Sequence, residues 1–200
     1  VSSSADPARA RLLRRGILLE YATLGWNVAG VVILAIAALA AGSVALAGFG
    51  IDSLIEIVAS SVVVWELRGE QGTRRERIAL RAIAVAFAIL VVYIAVQAAV
   101  TFAGDSRPHH STLGLVWLAA TVAAMWALAY GKQRTGHRLG HRVLLTEARV
   151  TVIDGSLAAA VLAGVALNSA LGWWWADPGS ALVILVYGTR EARHAWHEAG

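Results

Sequence analysis

Crossing about 30 Å of hydrocarbon takes roughly 20 helical residues, and six stretches of this chain reach that length: 16–41, 43–67, 78–103, 112–131, 142–171 and 174–195. No other feature limits the fold as much. A segment in hydrocarbon must satisfy its own backbone N–H and C=O groups, and a helix does so within itself. Composition agrees: 58% of the residues are hydrophobic and only 15% charged, against about 25% charged in soluble domains. A soluble core of this size cannot bury so much apolar side chain. The expected fold is an all-α membrane protein, a six-transmembrane-helix bundle.

The breaks between spans carry turn or charge signals: Gly42-Ser43, Arg68–Arg77, Gly104–Ser111, Lys132–His141 and Gly172–Pro178. Residues 1–15 read as a basic cytoplasmic segment, and 16–195 as the transmembrane domain, with no soluble C-terminal domain expected. The polar start Val1–Ala10 does not resemble a cleaved signal peptide. The sixth span is the least regular: Asp177-Pro178 suits a helix start, yet Arg190 soon follows. With both termini in the cytoplasm, sixteen of the seventeen basic residues fall inside and only Arg107 outside. This bias predicts parity and orientation. The basic charge then reflects topology and contact with anionic lipid, and no nucleic-acid-reading motif is present. The Ala/Val/Gly/Arg-rich composition suggests a bacterial cytoplasmic membrane. The chain has no cysteine, which removes disulfides and thiolate metal sites.

Five acids fall inside the predicted spans: Glu20, Asp52, Glu56, Glu147 and Asp154. Each costs about 2.5–3.5 kcal/mol at mid-bilayer on an insertion scale. Asp52 and Glu56, at i and i+4, share one helix face. Counted from the cytoplasmic ends, Glu56, Asp154 and Asn27 all lie roughly 17 Å deep at 1.5 Å per residue, so three helices offer oxygen ligands at one level. A divalent cation can neutralise such a cluster, and so can protons; a site alternating between them exchanges metal for protons. Asp52, Glu56 and Asp154 are the main candidate ligands, with Asn27 and Glu147 as further ones. The competing reading makes such acids structural. It suits Glu20 and Glu147 near the span ends, where Glu147 can meet Arg142 or Arg149. It suits the deeper three poorly, because no basic residue is expected at their depth. The six histidines fall in loops or at helix ends and read as solvated surface. The tryptophans read as interface anchors and packing, Trp173–Trp175 above all. The Asp52-Ser53-Leu54 and Asp154-Gly155-Ser156 matches hint at a 3+3 repeat.

The stretch Ser43-Val-Ala-Leu-Ala-Gly-Phe-Gly-Ile-Asp52-Ser-Leu-Ile-Glu56 resembles the second-helix signature of the cation diffusion facilitators. Glu147-Ala-Arg-Val150 followed by Asp154 is similar to that family's fifth-helix pattern, and Gly172-Trp-Trp-Trp-Ala-Asp177-Pro178 to the entry of its last helix. The resemblance implies a homodimeric exporter that exchanges zinc or a related divalent metal for protons, with a tetrahedral site between the second and fifth helices. Asp52, Glu56 and Asp154 carry over as ligands. Val150 stands where the family has His or Asp, so a fourth ligand is missing. An all-oxygen site suits Mn²⁺, Fe²⁺ or Co²⁺ better than a His-bearing one does, while Zn²⁺ also accepts carboxylates.

The expected function is therefore divalent-metal efflux, with no permanently bound cofactor. A metal-binding sensor or regulatory subunit that does not transport is the alternative. An enzyme is not expected, since no H-E-x-x-H or G-x-S-x-G motif is present.

Overall fold

A computed structural model describes residues 7–41, 44–69, 73–103 and 111–171, with a few isolated positions beyond. Every regular element among them is helical: α1 (Pro7–Ala41), α2 (Val44–Leu67), α3 (Thr73–Ala103), α4 (Thr112–Leu139) and α5 (Arg142–Leu171). Three stretches, Pro7–Ala40, Leu46–Leu67 and Thr112–Leu139, are long and apolar enough to cross a membrane. They mark the chain as a helical membrane protein. The expected sixth span over 174–195 lies almost wholly outside the described residues, as do His109, His110, Asp177 and Pro178.

Helix ends differ from expectation where charge was read as a break. Helix α1 starts at Pro7, well before residue 16, so residues 7–15 of the basic segment are helical and continuous with the first span. Proline suits a first helical turn, and the Ala, Arg and Leu residues that follow are strong helix formers. Helix α4 runs past 131 to Leu139 and carries Lys132 inside it. It stops at Gly140, whose φ of 63° and ψ of 32° are left-handed and whose N–H donates to the Gly136 and His137 carbonyls; glycine takes that conformation at least cost. At its start Ser111 caps the helix, its hydroxyl accepting from the Gly114 N–H at 3.1 Å.

The helices have an inverted surface. On α1 beyond its arginine-bearing first turns the large outward residues are apolar, including Val28, Val32, Ile36 and Leu39 (86% exposed), while Glu20, Thr23 and Asn27 are buried. On α2, Ile51, Leu54 and Val58 face out, and Asp52, Glu56 and Ser60 face in. In water this arrangement is doubly unfavourable; in lipid the apolar face is solvated and the polar face must find partners inside.

Helix α1 packs on α2 and α4, α4 on α5, and α2 on both α3 and α5, which also touch each other. Trp26 stacks on Trp117 with ring centroids 4.8 Å apart, and its Nε1 donates to Thr121 at 3.1 Å, joining α1 to α4. Helices α4 and α5 approach closely at Gly155, where a Cβ would meet the Trp126 ring at 2.7 Å and Met125 Cβ at 3.0 Å. This closeness brings the buried face of α5, with Glu147 and Asp154, against its neighbours.

Candidate cation site

The buried polar residues of α2 and α5 face one another in antiparallel register. On α2, Asp52, Glu56 and Ser60 recur every four residues; on α5, Glu147, Thr151 and Asp154 recur at four and three, so each set forms one face. Ser60 Oγ donates to Glu147 Oε1 at 3.1 Å, and Thr151 Oγ1 donates to Glu56 Oε1 at 3.0 Å. The Asp52 and Asp154 carboxyl groups face each other closely enough to interact electrostatically. At the other end His141 Nε2 meets Glu66 Oε2 at 3.2 Å. The four pairs descend α2 while climbing α5, and from residue 52 to 66 they span about 21 Å at 1.5 Å per residue. The bundle therefore holds a buried polar column between two helices.

Beside it sits a buried cation that the sequence reading placed in a cytoplasmic loop. Lys132 on α4 is 0% exposed. Its Nζ donates to both Glu147 carboxylate oxygens at 2.6 and 2.5 Å and to Thr151 Oγ1 at 3.0 Å. It lies 3.0 Å from Glu20 Oε2, a charge contact without hydrogen-bond alignment. Glu20 and Glu147 thus share one ammonium group, and Lys132, rather than Arg142 or Arg149, is the ion-pair partner of Glu147. Lys132 pairs with the two shallower acids, while none of Asp52, Glu56 and Asp154 forms an ion pair among the described residues.

The two charges nearest the α2 end were also expected at the surface. Glu66 is 4% exposed and His141 9%, so His141 is not a solvated histidine. Its Nδ1 accepts from the Leu144 N–H at 3.4 Å while Nε2 faces Glu66. This geometry uses the ring both to cap the start of α5 through Nδ1 and to meet the Glu66 carboxyl through Nε2.

The remaining candidates are placed as follows. Asp52, Glu56 and Asp154 are each 2% exposed. Glu56 has its Thr151 hydrogen bond, whereas Asp52 Oδ2 and both Asp154 oxygens are buried with no hydrogen-bond partner among the described residues. Neither ionised carboxylate can donate to the other, so their close approach is favourable only with a proton or a cation between them. Asn27 is buried on α1, and its Nδ2 donates to the Thr23 carbonyl at 3.1 Å. Val150 is buried in the apolar core. Among the described residues, no three His, Cys, Asp or Glu side chains close on one point as metal ligands. Asp52 and Asp154 are instead a pair with open oxygens, Glu56 being the next acid along the same helix face.

Sequence reasoning missed Lys132, Ser60, Thr151 and the Glu66–His141 pair. One signal pointed to the first: Lys132 is the only lysine in a chain whose other basic residues, histidines aside, are all arginine. Neither a protein-family model nor a curated protein matches this chain.

Proposed function

We propose that this protein is a secondary transporter that moves a divalent cation across the membrane in exchange for protons. The observation that carries the reading is the Asp52–Asp154 pair: three buried carboxyl oxygens without partners, facing each other across α2 and α5. Five buried acids, Glu20, Asp52, Glu56, Glu147 and Asp154, share the bundle with one buried lysine. With all of them ionised the bundle would hold a large uncompensated negative charge in low dielectric, which mobile cations or protons must offset. Both can bind the same oxygens, so loading one releases the other.

Asp52 and Asp154 are the proposed first ligands, with Glu56, the Asn27 amide oxygen or water completing the shell. An all-oxygen set suits Mn²⁺, Fe²⁺ and Co²⁺ and admits Zn²⁺. Six spans and cytoplasmic termini belong to this proposal, supported by the run lengths and the one-sided distribution of arginines, and a homodimer follows from the resemblance alone. Alternating access would require α2 and α5 to open the column first toward the Glu66–His141 end and then toward the other.

Purified protein in liposomes with an imposed pH gradient tests the proposal. The gradient should drive Mn²⁺ or Zn²⁺ flux, and Asp52→Asn or Asp154→Asn should reduce it at least a hundredfold. Binding without flux would leave a sensor or regulatory subunit as the better account. Equal flux in both variants and the native chain would remove the site assignment.

A further inference from the structure

The acid pair beside the column already holds a positive charge, and its geometry is that of an ion site. Four oxygens surround Lys132 Nζ: Glu147 Oε1 at 2.6 Å, Glu147 Oε2 at 2.5 Å, Thr151 Oγ1 at 3.0 Å and Glu20 Oε2 at 3.0 Å. They come from α1 and α5, while the ammonium reaches in from α4. Two carboxylates face a single positive charge, and Glu20 Oε1 is buried with no hydrogen bond at all. With both carboxylates ionised, the site would carry one uncompensated negative charge. Lysine is also the residue that fits such a cage: a compact, roughly spherical cation on a flexible stem, unlike the planar guanidinium used at every other Lys/Arg position in this chain.

We propose that Glu20, Glu147 and Thr151 form a second cation site, occupied in this conformation by the Lys132 ammonium, and that a divalent cation takes this place when Lys132 swings out. Two carboxylates neutralise a divalent ion, and hydroxyl and carboxylate oxygens are donors for hard or borderline cations such as Mn²⁺. Thr151 links the site to the column, since its hydroxyl contacts Lys132, Glu147 and Glu56. The tethered ammonium therefore acts as a place-holder one helical turn from the Asp52–Asp154 pair: an ion leaving that pair toward Glu66 and His141 meets Lys132 and has to displace it. The displacement step rests on the transporter reading; the existence of the site does not.

The test measures bound Mn²⁺ per chain at equilibrium in detergent micelles, by electron paramagnetic resonance of the free ion. Asp154→Asn removes the first site, and that chain should bind no Mn²⁺ at micromolar concentrations. Adding Lys132→Gln should restore one Mn²⁺ per chain, and adding Glu147→Gln to that double variant should weaken it at least tenfold. A folded Asp154→Asn, Lys132→Gln chain that binds no Mn²⁺ would overturn the proposal. Each variant is prepared with and without Mn²⁺. A chain that Mn²⁺ stabilises against unfolding supports the site, and one whose folding Mn²⁺ does not promote contradicts it. If the native chain moves no Mn²⁺ in liposomes, the transporter reading fails while these stoichiometries still decide the second site.

Discussion

Replacing Glu147 by glutamine removes the charge that makes the two shortest contacts to Lys132, at 2.6 and 2.5 Å, and leaves Glu20 at 3.0 Å as its only carboxylate, beside the Thr151 hydroxyl. Breaking one side of a buried ion pair costs about 3–5 kcal/mol. The glutamine carbonyl can still accept one hydrogen bond, so the loss should fall near the lower end, about 3 kcal/mol. Glu20→Gln gives up one unaligned contact and should cost less, about 1.5 kcal/mol, the range for a hydrogen bond to a charged group. Lys132→Met should be the worst of the three, about 5 kcal/mol, because it strands two carboxylates. Combining Lys132→Met with Glu147→Gln should then be milder than the sum, with a coupling of about 2–3 kcal/mol. Unfolding by sodium dodecyl sulfate in mixed micelles, followed through the fluorescence of the eight tryptophans, reads all four. Equal losses for Glu147→Gln and Glu20→Gln, or a coupling below about 0.5 kcal/mol, would refute the seating of Lys132 between them.

Other positions yield independent outcomes. Gly155→Ala sets a methyl group against the Trp126 ring and Met125 Cβ and should cost about 1–3 kcal/mol, whereas Gly25→Ala, with nothing within 4 Å, should be neutral or slightly stabilising in the same unfolding assay. Gly140→Ala puts a side chain at φ 63° and should lower stability by about 1 kcal/mol, read from the same titration. Ser111→Ala removes the cap of α4 and should also cost about 1 kcal/mol, while Ser111→Asp should retain most of it.

Helix type and membrane character were legible because they depend on long-range averages. A run such as 142–171 is apolar enough to emerge from the sequence despite Glu147, Arg149 and Asp154, and α5 has those bounds. The depth comparison set Glu56 level with Asp154, whereas Glu56 meets Thr151 and Asp154 faces Asp52, about one turn along. Charge was harder to place. Lys132 begins the sequence Lys-Gln-Arg-Thr-Gly-His-Arg, which by composition is a loop; in the folded chain it is the last part of α4, and the residues that neutralise Lys132 lie 112 and 15 positions away, at Glu20 and Glu147. No local pattern encodes that pairing. The same applies to His141, whose acid partner Glu66 sits on another helix. Thr151 escaped notice for a different reason: a threonine within an apolar helix is common, and only its position between Glu56 and Glu147 gives it a role.

The central claim is that a divalent cation can occupy the space between the Asp52 and Asp154 carboxyl groups. Anomalous diffraction from crystals soaked in Mn²⁺, collected near the manganese absorption edge, tests it directly. A peak bridging carboxyl oxygens of the two residues at about 2.2 Å, absent in Asp154→Asn crystals, is the predicted result. Manganese found only at surface positions such as His137, with the Asp52–Asp154 pair empty at saturating ion, would contradict it.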